Sequence, residues 1–135
     1  MKGYVIALDQ GTTSSRAIVF NRRGEIVSLA QHDYPQIYPR PGWVEHDPAD
    51  ILGTQIKALA EAFEKSGVAA EDVAAIGVTN QRETSLVWDR ATGKPVENPI
   101  VWQCRRTAAL GDELAAEGVG ASVRAQTGPP SASCV

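Results

Sequence analysis

Two tight turns within the first 30 residues constrain the fold more than any other feature of this sequence. The apolar run from Tyr4 to Leu8 is typical of a strand buried on both faces, and β-type residues resume from Arg16 to Phe20. The turn between them and the hairpin signal at 21–24 are too short for a crossover connection. The sequence therefore predicts three antiparallel strands, the third of which covers residues 25–30.

A segment rich in proline at 31–46 separates this meander from a predicted helix. We expect the segment to be irregular and to be packed down by its aromatic residues Tyr34, Tyr38 and Trp43. Asp47 suits the N-cap of a helix and Pro48 its first position, while the Ser-Gly pair at 66–67 is a stop signal. The spacing of the apolar residues predicts one buried helix face, made of Leu52, Ile56, Leu59 and Phe63.

The rest of the chain predicts one more buried strand and a second helix. The apolar run at 73–79 follows a helix, so a parallel crossover is expected there. A further strand at 85–89, an extended segment at 99–103 and a helix over 104–117 are predicted after it. The resulting order β-β-β-α-β-(β)-α indicates an α/β architecture with a mixed sheet.

A polar segment at 9–16 directly follows the first predicted strand. Phosphoryl transfer requires a carboxylate for Mg²⁺, hydrogen-bond donors around the phosphates and a cation. Asp9 can supply the carboxylate, and Gly11 lets the backbone approach a phosphate closely. The hydroxyl donors and the cation would be Thr12, Thr13, Ser14, Ser15 and Arg16. The segment lacks the Gly-Lys-Ser/Thr of a Walker A loop, and an ordinary polar turn with an incidental aspartate is the alternative.

A second polar segment, at 79–84, follows the later predicted strand. Ligands of open α/β sheets bind at the carboxyl ends of strands. Arg82 and Glu83 place a donor beside an acceptor, which suits a vicinal polyol because each of its hydroxyls both donates and accepts. Trp102 could form an apolar wall against the carbon chain of such a ligand. The alternatives are a solvated surface turn and, for Trp102, plain packing.

Composition excludes several classes of function. The net charge is −3, and no basic stripe stands out, so nucleic acid is not an expected partner. No apolar stretch is long enough to insert into a membrane. Cys104 and Cys134 show no metal-binding spacing, and Cys104 is predicted to be a small buried residue. His32 and His46 are predicted to lie on the surface rather than to bind a metal. A cytoplasmic, reduced protein is the expectation.

Four segments considered together resemble one family. The segments are ALDQGTTSSR at 7–16, PGWVEHDP at 41–48, GVTNQRET at 77–84 and NPIVWQCRRT at 98–107. They resemble the glycerol kinases, which belong to the FGGY carbohydrate kinases and share the actin/hexokinase-like (ribonuclease H-like) fold. The resemblance implies ATP-dependent phosphorylation of glycerol to sn-glycerol 3-phosphate. It also implies ATP and Mg²⁺ as cofactors, glycerol and ATP/ADP as binding partners, and a homo-oligomer.

The resemblance also implies a role for each matching residue. Asp9 would lie near Mg²⁺, and the nucleotide phosphates would be surrounded by Thr12, Thr13, Ser14 and Arg16. Thr12 would also approach the product phosphate. The glycerol hydroxyls and carbons would be contacted by Arg82, Glu83 and Trp102. The general-base aspartate of the family has no counterpart in this sequence, so no residue is predicted to be catalytic.

The resemblance weakens after Gly128. A family tyrosine that contacts glycerol falls where this chain has Cys134. Residues 1–128 are therefore expected to form an incomplete, apparently truncated N-terminal domain, and residues 129–135 an unrelated disordered tail, with no C-terminal domain. Such a chain is expected to have little or no kinase activity. Two alternatives stay open: a non-catalytic fragment that binds polyol or nucleotide, and part of a family member acting on xylulose or gluconate.

Overall fold

A computed structural model describes residues 3–128, which form two compact units. The first unit comprises the chain up to Pro35 together with Asp47–Gln81. The second comprises Gln36–His46 and the chain from Arg82 onward. The tail predicted to be disordered lies outside the described residues.

The first unit is built on a four-stranded sheet. Strands β1 (Tyr4–Gln10), β2 (Ser14–Phe20) and β3 (Ile26–Asp33) form the predicted antiparallel meander. The hairpin between β2 and β3 closes at Gly24, whose φ of 77° a glycine adopts without strain. Strand β4 (Val73–Asn80) pairs with β1 in parallel, so the strand order is β3-β2-β1-β4.

Helix α1 (Pro48–Ser66) makes the crossover between β3 and β4, and both of its predicted end signals are confirmed. The side chain of Asp47 accepts a hydrogen bond from the N–H of Ala49 at 2.8 Å. Gly67 has a φ of 63°, and its N–H donates to the carbonyl of Glu64. The predicted parallel crossover is therefore correct.

The buried face of α1 is only partly the predicted one. Ala58 and Ala62 are completely buried in the core. Leu52 and Ile56, which belong to the predicted face, are 63% and 58% exposed. Small residues at the contact allow the helix to approach the sheet closely, and the other two residues of the predicted face, Leu59 and Phe63, pack partly buried against the same core.

Strand β4 lies at the edge of the sheet, although its apolar sequence predicts a strand buried on both faces. A 3₁₀ turn, Ala70–Asp72, leads into it. Among the described residues it pairs only with β1, and its Val78 is 73% exposed. An open apolar groove of about 550 Å³ runs between β4 and α1 and is lined by residues that include Ile6, Ile56, Phe63 and Ile76.

In the described part of the second unit, extended segments meet only through isolated bridges. The strand predicted at 85–89 contributes a bridge between Ser85 and Ile100. The extended segment predicted at 99–103 adds only a bridge from Ile100 to Glu45. The extended backbone is therefore present at both places, but the regular strand at 85–89 is not.

The helical part of the second unit differs from the single helix predicted over 104–117. Helix α2 (Ala108–Ala116) is shorter, and a second helix, α3 (Val119–Thr127), follows it unpredicted. Gly118, with a φ of 82°, separates the two helices, whereas Gly120 lies inside α3. None of the helices within residues 3–128 is long and apolar enough to cross a membrane.

His46 ends the proline-rich segment and is completely buried, which corrects the prediction of a surface histidine. Its Nε2 lies 2.7 Å from Oε1 of Gln36. Because an amide oxygen only accepts, Nε2 carries the proton in this arrangement. Burial lowers the pKa of His46 below its usual value.

We expect acidification to destabilise the second unit through His46. The unfolded chain takes up this proton first as the pH falls below about 6.5, because the pKa of His46 is lower in the folded state. The contribution of His46 to the free energy of unfolding is therefore fully present above that pH and is lost progressively below it. Urea unfolding at about pH 7.5 and about pH 5.5 measures the loss. Tryptophan fluorescence is a suitable probe because all three tryptophans, Trp43, Trp88 and Trp102, lie in this unit.

The two histidines provide the matched variants for this experiment. His32→Gln should retain the decrease in unfolding midpoint at acidic pH, whereas His46→Gln should remove most of it. An equal decrease in both variants would contradict the assignment of the effect to His46.

Candidate functional site

Polar side chains form a row across the sheet at the carboxyl end of β1. In the strand register Asp9 lies between Arg16 of β2 and Thr79 of β4, and Arg16 pairs in turn with Gln31 of β3. Nη1 of Arg16 lies 3.5 Å from Oδ2 of Asp9, and its Nε donates to Oε1 of Gln31 at 2.9 Å. Gln31 donates in turn to Oγ of Ser14 at 3.1 Å. The row therefore joins a carboxylate, a guanidinium and a hydroxyl.

Asp9 and Arg16 remain accessible to a ligand. Their side chains are 43% and 37% exposed. An ion pair of 3.5 Å between such exposed groups contributes little to stability. Each group can therefore exchange the other for a metal ion or a phosphate at small energetic cost.

Ser15 does not belong to this row, which corrects its prediction as a hydroxyl donor toward the phosphates. The alternation of β2 turns Ser15 toward α1, where it is completely buried and its Oγ lies 2.9 Å from Oγ1 of Thr54. Of the other predicted hydroxyl donors, Ser14 lies in the row, and the turn before β2 contains Thr12 and Thr13.

The turn between β1 and β2 is organised around Gly11. Its N–H donates to the carbonyl of Ser14 at 2.9 Å, and a Cβ at this position would lie only 3.1 Å from that oxygen. Its carbonyl accepts hydrogen bonds from the side-chain amide of Gln10 at 2.6 Å and from the hydroxyl of Tyr34. A side chain at this position would therefore crowd the backbone of the turn and would also hinder the close approach of a ligand.

The side chains of the row fit a magnesium ion that is bound together with nucleotide phosphates. Mg²⁺ usually binds through one or two carboxylates, with phosphates and water completing its shell. Asp9 supplies one exposed carboxylate beside the Gly11 turn. Among residues 3–128 no group of three or more His, Cys, Asp or Glu side chains is arranged to hold a metal ion. The described residues thus suit a nucleotide-borne ion rather than a site built from protein ligands alone.

The second predicted set of contact residues lies in the second unit. Arg82 and Glu83 are exposed. The antiparallel bridge between Ser85 and Ile100 has Glu83 and Trp102 on the same side, each two residues away from it. Trp102 is 43% exposed. The unit therefore brings a donor, an acceptor and an apolar ring into one region of the chain.

Glu83 has an unusual backbone conformation. Among the described non-glycine residues it alone has a positive φ, at 56°. The left-handed region costs an L-residue about 1–2 kcal/mol, and such strain is concentrated at functional sites. The positive φ therefore marks Glu83 as a candidate functional residue of this unit.

A cluster around Arg106, which the sequence does not predict, braces the second unit. Nη2 of Arg106 lies 2.6 Å from Oε1 of Glu45, Nε lies 2.9 Å from Sγ of Cys104, and the guanidinium lies 4.0 Å from the ring centre of Trp43. Cys104 is buried, as predicted. Burial raises the pKa of the Cys104 thiol, but hydrogen bonds from the backbone of Val44 and from Arg106 outweigh it, so the pKa lies below its usual value.

The sequence and the structure are both similar to known proteins. Residues 4–134 match the N-terminal domain of the FGGY family of carbohydrate kinases. The glycerol kinase of Chromobacterium violaceum is 64% identical over 125 residues, which cover 93% of this chain and 25% of that protein. A second glycerol kinase of Thermotoga maritima is 59% identical over 125 residues, again 25% of its length. The chain therefore spans about a quarter of the length of the curated relatives it matches.

Solved structures are similar to this chain over a comparable range. The crystal structure of Plasmodium falciparum glycerol kinase with ADP has a TM-score of 0.83 and 31% identity, covering 97% of this chain and 26% of that one. The xylulose kinase from Rhodospirillum rubrum has a TM-score of 0.78 and 29% identity, covering 90% of this chain and 25% of that one.

Proposed function

The chain belongs to the FGGY family of carbohydrate kinases, and we propose that it carries phosphate and polyol contacts of an ATP-dependent glycerol kinase. The reaction transfers the terminal phosphoryl group of ATP to a hydroxyl of glycerol and yields ADP and sn-glycerol 3-phosphate. The observation that carries the proposal is the row from Asp9 to Gln31 beside the Gly11 turn. It combines the groups that stabilise a phosphoryl group in transfer.

In this proposal the first unit holds the nucleotide phosphates. The hydroxyls and backbone N–H groups of Thr12, Thr13 and Ser14 donate hydrogen bonds to phosphate oxygens, and Arg16 offsets their negative charge. Mg²⁺, when it is bound with the nucleotide, is held by Asp9 and stabilises the charge that develops on the phosphates. Thr12 also approaches the phosphate of the product.

The second unit contacts the polyol. Arg82 donates to the hydroxyls of glycerol, and the carboxylate of Glu83 accepts from them, so that adjacent hydroxyls are distinguished as donor and acceptor. The ring of Trp102 covers the carbon chain. No residue of this chain is proposed to act as the general base.

The proposal is tested by NMR titration of the ¹⁵N-labelled chain. Mg²⁺ with ADP should shift the amide signals of 11–16, and glycerol should shift those of Arg82, Glu83 and the indole of Trp102. Arg82→Ala should lose the response to glycerol, whereas Arg90→Ala, which removes another exposed arginine of the same unit, should retain it. If neither ligand perturbs its segment at saturating concentration, the proposal is wrong.

Xylulose is the second candidate substrate, because the structural similarity extends to a xylulose kinase with a TM-score of 0.78. Gluconate, which carries several hydroxyls and a carboxylate, belongs in the same comparison. The same NMR titration with xylulose and gluconate separates the candidates. We expect glycerol to shift the amide signals of residues 82–83 at concentrations at which xylulose and gluconate leave those signals unchanged.

A coupled assay of ADP release by the purified chain with ATP and glycerol separates catalysis from binding. Binding without turnover would favour the non-catalytic alternative for this chain. Clear turnover would exclude it.

Cytoplasmic location follows from the same proposal, since ATP and glycerol are both available there. Homo-oligomerisation, as in the glycerol kinases that the chain resembles, is part of the proposal as well. Sedimentation of the purified chain over a range of concentrations measures it.

Glu83→Gly should have opposite effects on stability and on binding. Glycine adopts a φ of 56° without strain, so we expect the second unit to gain about 1 kcal/mol in free energy of unfolding. Loss of the carboxylate should weaken glycerol binding about tenfold. Unfolding followed by tryptophan fluorescence and NMR titration measure the two effects.

Glu97→Gly, which changes an exposed glutamate of the same unit, is the control for that experiment. It should leave glycerol binding unchanged and should not stabilise the chain. Destabilisation by Glu83→Gly would show that the left-handed backbone is not a source of strain.

A further inference from the structure

We propose that Tyr34 is a positioning residue that orients the Gly11–Thr12 peptide so that the N–H of Thr12 faces the nucleotide phosphates. The inference rests on the proposed function of the turn between β1 and β2. It adds a residue that does not itself touch the nucleotide and that acts through the backbone of the turn.

Three polar groups form a closed hydrogen-bonded triangle beneath the turn. The hydroxyl of Tyr34 donates to the carbonyl of Gly11. The side-chain amide of Gln10 donates both to that carbonyl, at 2.6 Å, and to the Tyr34 hydroxyl, at 2.9 Å. The phenol therefore uses its only proton on Gly11 and its oxygen on Gln10, so the direction of each bond is fixed.

The orientation of the Gly11 carbonyl determines that of the next N–H. In a trans peptide the C=O and the following N–H point in opposite directions within one plane. Two donors hold the Gly11 carbonyl on the side of Tyr34. The N–H of Thr12 is consequently directed to the opposite side of that peptide, which is the side where the inference places the phosphates.

Tyr34 is itself held firmly enough to act as a fixed support. It follows β3 directly, and its backbone N–H donates to the carbonyl of Thr13 at 3.3 Å. The residue is only 5% exposed. Burial raises the pKa of Tyr34 to about 12, so the hydroxyl keeps its proton across the physiological range. Tyr34 thus contacts the turn at two carbonyls, those of Gly11 and Thr13.

Tyr34→Phe is the direct test, because it removes the hydroxyl and keeps the ring. We expect the affinity for Mg·ADP and for inorganic pyrophosphate to fall about threefold to tenfold, while the affinity for glycerol is unchanged. The control is Tyr4→Phe, which removes the hydroxyl of a half-buried tyrosine packed against the core of the same unit. It should leave all three affinities unchanged.

A second measurement separates positioning from simple stabilisation. ¹⁵N relaxation dispersion of the ligand-free chain should show new exchange at Thr12 in Tyr34→Phe and none in Tyr4→Phe. A variant that is merely less stable would lower the unfolding midpoint without selective exchange at Thr12. That pattern, or unchanged affinity for ADP and pyrophosphate in Tyr34→Phe, overturns the inference.

Failure of the proposed function gives a different result. If the wild-type chain binds neither ADP nor pyrophosphate, the nucleotide role of the turn is wrong and the inference falls with it, whatever Tyr34→Phe does. If the wild-type chain binds both and Tyr34→Phe binds them equally well, the proposed function stands and only the role of Tyr34 is overturned.

Discussion

Asp9→Asn is expected to weaken the binding of Mg·ADP by about a hundredfold or more. Loss of a residue that only hydrogen-bonds to a metal ligand already lowers metal affinity by about 10–100-fold, and loss of the ligand itself should cost at least as much. The substitution preserves the size and most of the hydrogen bonding of the side chain but removes the charge that a hard cation requires. Binding of ADP without a divalent ion should not weaken, because the substitution removes a carboxylate that repels phosphate. The difference between the two affinities isolates the metal contribution of this one carboxylate.

Mn²⁺ in place of Mg²⁺ makes this prediction measurable residue by residue. Paramagnetic broadening of the amide signals around Asp9 should appear with Mn²⁺ and ADP in the wild-type chain and disappear in Asp9→Asn. Glu25→Gln is the matched control, since it neutralises an exposed carboxylate beyond the opposite end of β2. Equal broadening in wild type and in Asp9→Asn would exclude Asp9 as the metal ligand.

Which residues meet in the candidate site could be predicted from the sequence, because they are close together in the chain. Asp9, Gly11, Ser14 and Arg16 lie within eight residues, and a short turn keeps such neighbours together in almost any fold. The α/β fold class of actin/hexokinase type is confirmed by the similarity to the structures of sugar kinases. Both predictions rest on local patterns and on the order of the elements.

The supporting contacts could not be predicted, because they depend on strand register. Gln31 reaches Arg16 from 15 residues away, and Tyr34 reaches Gly11 from 23 residues away. The register of β2 with β3 shifts at an irregularity between Val19 and Phe20. An offset of one residue would turn Gln31 to the opposite face of the sheet. The residue types around Val19 and Phe20 do not predict the irregularity that sets this register.

The errors in the predicted core have a related cause. Periodicity identifies an apolar stripe but not the element that covers it. Strand β4 has the sequence of a buried strand and lies at an edge, and Ile56 of α1 faces the open groove beside it. His46 shows the converse, since a polar residue in an irregular segment becomes buried once Gln36 provides a hydrogen-bond partner.

Arg106→Ala is expected to lower the free energy of unfolding of the second unit by about 2–3 kcal/mol. The side chains of Arg106 and Glu45 are only 17% and 16% exposed, so removing the guanidinium leaves a largely buried carboxylate without its charged partner. The contact of Arg106 with the ring of Trp43 is lost as well. Arg105→Ala, which truncates the exposed neighbouring arginine, should change stability by less than about 0.5 kcal/mol.

A double-mutant cycle tests whether the unpaired Glu45 carboxylate causes the loss of stability in Arg106→Ala. If most of the cost comes from Glu45 losing its partner, then adding Glu45→Ala to Arg106→Ala should recover about 1 kcal/mol rather than destabilise further. Glu45 also accepts a hydrogen bond from Asn98 at 3.4 Å, a distance too long to replace the 2.6 Å contact with Arg106. Strictly additive effects of the two substitutions would instead attribute the stability to packing on Trp43. The unit that presents Arg82 and Glu83 would then be braced by an aromatic contact rather than by an ion pair.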